Sequence, residues 1–234
     1  EAGFRVLTSA RRARTVVTVA PECTTPDMIG RLVASGVILS AGHSDGTYAH
    51  VRAAIDAGLS GVTHLFNAMS QLTSREPGVV GAALECDSVW CGIIVDGHHV
   101  SPETLKLALR CKPADKFMLV TDAMPSVGSS AEQFVLQGKR IEVRDGACRD
   151  ETGKLAGSDL DMVSAVRNAV RMLGLPIETA VSMAATARAA FLGLQAVRGA
   201  ILTGYHADLV LLDGDVSDRE TWIGGLREAT AIVR

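Results

Sequence analysis

The chain has little that would tie it to a polymer or a membrane. Its 234 residues carry 23 Lys and Arg against 26 Asp and Glu, a net charge of −3. Without a basic excess there is no general attraction to nucleic acid or anionic lipid. An anionic ligand must then be met by local Arg, Lys, His or backbone N–H groups. No apolar run reaches the about 18 residues that suggest a membrane span. The opening Glu1-Ala-Gly-Phe-Arg lacks the apolar core of a secretory signal. The five cysteines, Cys23, Cys86, Cys91, Cys111 and Cys148, are odd in number and include no CxxC, so free thiols in a reducing cytoplasm are expected. Low-complexity segments, Walker-type loops and repeats beyond a βα period are missing too.

What is present is an ordinary globular composition, 47% apolar and 21% charged. It allows one large domain, or one domain with a small appendage. The organising stretch is Ser40 to Met69. Val37-Ile38-Leu39-Ser40 is a short apolar run that stops at Gly42-His43, and Gly61-Val62-Thr63 is another that stops at His64. Between them, Tyr48 to Gly58 has helical composition and a terminal glycine. Strand, loop, helix, strand makes a βαβ unit with parallel strands. Both histidines then stand at the carboxyl ends of neighbouring strands, where two imidazoles suit a metal ion.

The same period recurs along the chain. Thr15 to Ala20 predicts a buried strand ending at Pro21-Glu22, and Asp27 to Ala34 a helix. Leu65 to Gly78 reads as a long polar loop carrying Asn67 and Arg75. Val89 to Val95 is the next strand, followed by Asp96-Gly97-His98-His99. Ser101-Pro102-Glu103 starts a helix that runs to about Cys111. Lys116 to Thr121 is a further strand with Asp122 at its end. This alternation predicts a parallel α/β architecture, a (β/α) barrel. Beyond it, Phe134 to Val143 predicts a hairpin turning at Gln137-Gly138. Arg144-Asp145-Gly146 reads as a turn and Leu155-Ala156-Gly157-Ser158 as a glycine-containing loop. Helices are expected over 161–173, 177–185 and 186–192, and a strand over 208–213.

Two histidines and an aspartate at barrel strand ends would serve a hydrolytic metal site. The imidazoles hold a divalent ion, the ion acidifies a water, and the carboxylate moves the proton. Spacing alone leaves Asp122 open to a plainer role as a helix cap or turn residue.

Five motifs carry a resemblance. Ala41-Gly42-His43-Ser44, Thr63-His64-Leu65-Phe66-Asn67-Ala68-Met69, Asp96-Gly97-His98-His99-Val100, Val120-Thr121-Asp122-Ala123-Met124 and Leu155-Ala156-Gly157-Ser158 resemble the N-acetylglucosamine-6-phosphate deacetylases of the amidohydrolase superfamily. Val19-Ala20-Pro21-Glu22 and Ala207-Asp208-Leu209-Val210 match as well. The resemblance implies a (β/α)8 TIM-type barrel of the metal-dependent hydrolase kind, incomplete at the N-terminus. Residues 1–200 would be partial barrel, and 201–234 a remnant of a small β-sandwich. It implies His43 and His64 as metal ligands and Asp122 as general base and acid. His99 would contact the substrate and polarise its acetamide carbonyl. Asn67, the backbone at Ala68, and Arg75 would take phosphate and sugar, and Leu155, Ala156 and Gly157 would lie near the acetyl group. The implied cofactor is one divalent ion per site, zinc or iron. The implied partners are a sugar phosphate substrate and further copies of the chain, as dimer or tetramer.

One departure accompanies the resemblance. The family's third metal ligand is a Glu in a His-Leu-Glu-Gly-Pro stretch upstream of Ala-Pro-Glu, and this chain begins after that point. Glu22 is expected to brace the site rather than bind the ion. Two alternatives stand beside the deacetylase. One is an amidohydrolase acting on a cyclic amide or nucleobase, without a dedicated phosphate ligand. The other is a catalytically silent fragment that at most binds sugar phosphate.

Overall fold

A computed structural model of the chain describes residues 2–10 and 13–228. In chain order the elements begin with α1 (Ala2–Leu7), β1 (Val16–Val19), α2 (Pro26–Ala34), β2 (Ile38–Ala41), α3 (Tyr48–Asp56) and β3 (Gly61–Val62). Then come α4 (Gly78–Glu85), β4 (Trp90–Ile93), α5 (Pro102–Cys111) and β5 (Phe117–Leu119). The rest are β6 (Gln133–Leu136), β7 (Lys139–Arg144), β8 (Ala147–Asp150), β9 (Leu155–Ser158), α6 (Met162–Leu173), α7 (Ile177–Ala184), α8 (Thr186–Phe191), β10 (Leu209–Leu212), β11 (Asp218–Ile223) and β12 (Leu226–Arg227). Two units emerge, Glu1–Ile93 with Lys106–Met118, and Ile94–Leu105 with Leu119–Arg234.

The first unit is built on a sheet of order β1-β2-β3-β4-β5. Pairing is parallel from β1 through β4, with Ala41 opposite Val19 on one side and Val62 on the other. Strands that neighbour each other in sequence order, joined by helices, are the arrangement the βα period predicts. Leu39, Val62, Cys91, Ile93 and Phe117 fill its core, each at most 1% exposed. Local chemistry sets the helix starts. Thr25 Oγ1 accepts from the Met28 N–H at 3.2 Å to open α2. Thr47 and His50 close a reciprocal capping box on α3.

Two expectations fail here. The first strand was expected to be buried, yet Val16 is 43% exposed, because β1 is the outermost strand of the described sheet. Helix α4 was not expected at all. Its residues Gly78 to Leu84 are all buried. A helix apolar on every side has no amphipathic period to read. Its last turn is closed by Lys112, a lysine only 6% exposed. The Lys112 ammonium donates to the carbonyls of Ala83, Cys86 and Val89 at 2.9, 2.8 and 2.6 Å.

The second unit holds two antiparallel sheets, β6-β7-β8-β9 and β10-β11-β12. The Gln137-Gly138 hairpin forms as expected, with Phe134 opposite Ile141. Residues 155–158, expected as a loop, are strand β9, pairing Ser158 with Ala147 and Leu155 with Arg149. The register slips between those pairs, and Gly157 at φ +80° supplies the left-handed backbone there. Helix α6 starts on Asp161, whose Oδ1 accepts from the Ser164 N–H at 2.7 Å, and stops at Gly174. The tail after residue 213, which the sequence pattern does not place, continues as β11 and β12; residues 229–234 lie outside the described residues. All five cysteines are free thiols. Among the described residues no helix is long and apolar enough to cross a membrane.

Candidate functional site

In the first unit the structure brings His43 and His64 together. The residues follow β2 and β3, whose parallel register sets Ala41 beside Val62. Their Nε2 atoms are 3.0 Å apart, with the rings edge to face and centroids 4.8 Å apart. His64 is buried and His43 exposed. Two nitrogens on one ion, at about 2.0–2.1 Å each, lie about 2.8–3.4 Å apart for angles of about 90–110°. The imidazole pair therefore fits two positions around a single cation. Among the described residues no cluster of three or more His, Cys, Asp or Glu is arranged to hold a metal. The backbone just before His43 packs closely, and residue 42 is glycine. A Cβ there would stand 2.8 Å from Thr18 Cγ2 and 3.2 Å from Thr63 Cβ.

The loops after the two strands are stitched to each other. The Ser44 N–H donates to the Ala68 carbonyl at 3.1 Å, and the Ser70 N–H donates to the Ser44 carbonyl at 2.9 Å. Ser70 Oγ donates to the Gly46 carbonyl at 2.6 Å and accepts from the Val79 N–H at 2.9 Å. Glu22 does brace this rim. Its Oε2 accepts from Ser44 Oγ at 2.6 Å, and its Oε1 from the Asp45 N–H at 2.8 Å. Burial alone would raise the Glu22 carboxyl, but these hydrogen bonds prevail and hold it below the usual carboxylate value. Asn67 and Ala68 thus lie beside the His43 loop. Asn67 Nδ2 donates to the carbonyls of His64 and Leu65, at 3.2 and 3.3 Å. Arg75 stands apart, in an exposed turn closed between Thr73 and Glu76. Its guanidinium makes no hydrogen bond or ion pair with a described residue. The turn is anchored by Glu76 Oε1, which accepts from the N–H groups of Tyr48 and Gly78 at 2.7 and 2.9 Å.

In the second unit the structure brings Asp122 to β9. The Ser158 N–H donates to the Asp122 carbonyl at 2.8 Å, and the Met124 N–H donates to the Ser158 carbonyl at 2.9 Å. Ser158 Oγ donates to the Thr121 carbonyl. A Cβ on Gly157 would stand 3.0 Å from the Asp122 carbonyl oxygen and 2.4 Å from Met124 Cε. Asp122 is exposed, and Leu155, Ala156 and Gly157 are half-buried. His99 is held by a residue that the sequence pattern did not single out. Asp96 Oδ2 lies 2.6 Å from His99 Nδ1. The signal was present in Asp96-Gly97-His98-His99, but spacing alone does not show a carboxylate turning back onto the third residue after it.

Backbone strain marks many of these positions. His43, His64, Phe66, Ala68 and Asp122 have φ of 49, 33, 78, 47 and 51°. A non-glycine residue in left-handed backbone costs about 1–3 kcal/mol and persists where its surroundings fix it, often at functional sites.

A family model described as Amidohydrolase family matches residues 8–233. The chain belongs to the amidohydrolase family. Its relatives within that family include an N-acetylgalactosamine-6-phosphate deacetylase of Shewanella sp. (strain ANA-3), 48% identical over 90% of this chain and 53% of the relative. An N-acetylglucosamine-6-phosphate deacetylase of Vibrio furnissii is 39% identical over 89% of this chain and 52% of the relative. The chain thus spans about half the length of the curated relatives it matches. Among solved structures, N-acetylglucosamine-6-phosphate deacetylase from Pasteurella multocida superposes with a TM-score of 0.93 at 36% identity, covering 98% of this chain and 60% of that one. A variant of the Mycobacterium smegmatis enzyme in complex with N-acetyl-D-glucosamine-6-phosphate gives 0.84 at 38% identity, over 91% of this chain and 57% of that one. The α/β fold with parallel sheet and C-terminal antiparallel strands is thus that of an amidohydrolase barrel, in part.

Proposed function

We propose that the protein takes part in metal-dependent hydrolysis of the acetamide of N-acetylglucosamine 6-phosphate, giving glucosamine 6-phosphate and acetate. The observation that carries this reading is the imidazole pair, two Nε2 atoms 3.0 Å apart at the ends of adjacent parallel strands. The amidohydrolase family is in general metal-dependent. His43 and His64 would hold one divalent ion, zinc or iron, through Nε2. When bound, that ion polarises the amide carbonyl and lowers the pKa of water. Asp122 takes the proton of the attacking water and delivers it to the amine nitrogen as the C–N bond breaks. His99 contacts the substrate and polarises its acetamide carbonyl. Asn67, the Ala68 N–H and Arg75 take phosphate and sugar, Arg75 with the fork that suits a phosphate. Leu155, Ala156 and Gly157 offer backbone near the acetyl group. The same reading makes residues 1–200 barrel and 201–234 sandwich segment. It makes the protein a homo-oligomer of two or four copies in a reducing cytoplasm.

A second substrate is favoured by one observation: the Shewanella relative, 48% identical, is named for the galactosamine epimer. The two sugars differ only in the configuration at C4. Acetate release from both sugar phosphates by the purified protein supplied with zinc or iron(II) tests both readings. Release from either supports a deacetylase, and the larger kcat/KM names the epimer. Release from neither, with hydrolysis of a cyclic amide instead, overturns the reading. In that case Arg75→Ala leaves the cyclic-amide activity nearly intact.

A further inference from the structure

We propose that Asp96 is a positioning residue, fixing the ring and proton of His99 so that Nε2 is the atom offered to the substrate. This deepens the deacetylase reading and rests on His99 as the imidazole that contacts substrate. The segment after β4 turns tightly at Gly97, with φ +77°, where a Cβ would stand 2.8 Å from Met172 Cε. That turn folds Asp96 back onto its neighbours. Its Oδ1 accepts from the N–H groups of both His98 and His99, at 2.9 Å each. Its Oδ2 is left for His99 Nδ1 at 2.6 Å. The two side chains are 3% and 5% exposed. A carboxylate held at three points and shielded from water cannot swing away from the imidazole.

The consequence is chemical. Nδ1 faces an acceptor, so Nδ1 carries a proton. The neutral ring then has its lone pair on Nε2 and cannot donate to a carbonyl oxygen. The protonated ring has an N–H there, and it is that form, its charge balanced by the Asp96 carboxylate, that polarises the acetamide carbonyl. In both forms the plane of the ring and the direction of Nε2 are set. No described residue bonds His99 Nε2, which leaves that atom for a ligand. Burial alone would raise the Asp96 carboxyl. The His99 side chain and the two N–H donors outweigh burial and keep it below the usual carboxylate value, so the acceptor stays ionised near neutral pH. Asp96 touches no substrate in this account; it acts through His99.

Nitrogen-15 NMR of the unmodified protein decides the first half. The neutral His99 ring is expected as the Nδ1–H tautomer, and an Nε2–H tautomer overturns the proposal. Steady-state kinetics decide the second half. Asp96→Asn is expected to lower kcat by about 10–100-fold, with a smaller change in KM. In a His99→Asn background the same substitution is expected to change kcat little. Equal losses in both backgrounds overturn the proposal, since Asp96 would then act by another route. If Asp96→Asn does not fold, the tautomer in the unmodified protein still decides. The expected tautomer in a protein that hydrolyses no amino-sugar phosphate would sink the deacetylase reading and leave the pairing standing.

Discussion

Two regions of the molecule adopt the same uncommon backbone for different reasons. In the β6–β9 sheet, Gln137 and Asp145 have φ of 49 and 53°, and each is followed by a glycine with positive φ. These are two-residue hairpin turns, in which left-handed backbone matches the twist of the strands. At the ends of the parallel strands, His43, His64 and Asp122 have φ of 49, 33 and 51°. No hairpin closes there. The conformation is imposed by hydrogen bonds from neighbouring loops, Ser44 to Ala68 in one unit and Ser158 to Asp122 in the other. At a hairpin the residue type follows the turn. At a strand end, on the proposed reading, the residue type follows chemistry, and the backbone is made to conform.

Substitution should separate the two regions, most strongly at the imidazoles. His64→Ala leaves one nitrogen where two converged, and divalent-ion affinity should fall by more than the about 10–100-fold typical of outer contacts. Metal content after dialysis measures this, and an unchanged ion complement would break the comparison. Asp122→Asn should keep metal and lower turnover by about 10²–10⁴-fold. Asp145→Asn, at a turn of nearly equal φ, should leave turnover unchanged. Gly42→Ala forces a Cβ against Thr18 and Thr63 and should destabilise the fold by about 1–3 kcal/mol in denaturant titration.

Glu22→Gln tests the brace through pH. The Glu22 pKa is lowered in the fold, so its contribution is present above the ordinary value and lost as pH falls through the lowered one. The variant should lose about 1 kcal/mol near neutral pH and show a flatter decline into acid. An acid limb identical to the parent's would remove Glu22 from the rim. The smallest effect belongs to the hairpin. Gln137→Asn creates the Asn-Gly pair such turns prefer and should raise stability by up to about 1 kcal/mol, with activity unchanged.

Much of this was legible in the sequence. Helix α5 announces itself by its Ser101 cap and Pro102, α3 by the glycine at its end, and α2 and α6 by composition. The caps at Thr25, Thr47 and Asp161 show only in the fold. The two histidines were legible because each ends a short apolar run, and strand ends gather at one rim. Helix α4 was hidden because burial on all sides erases the period. Strand β9 was hidden because Ala156-Gly157 has turn composition, while its pairing with β8 depends on residues that only folding brings near. Asp96 and Ser44 were missed for a related reason: a hydrogen-bond partner has no signature until the chain turns.

The cross-links between the loops after β2 and β3 carry one more consequence. Ser44 and Ser70 together take part in bonds that reach Glu22, Gly46, Ala68 and Val79. Neither loop can swing outward without tearing the other's seam, so the amide protons of Ser44, Ser70 and Val79 should trade with deuterium at one shared rate. Such a rim behaves as a single hinge-free collar, and the backbone segments that carry the two imidazoles can be displaced only together.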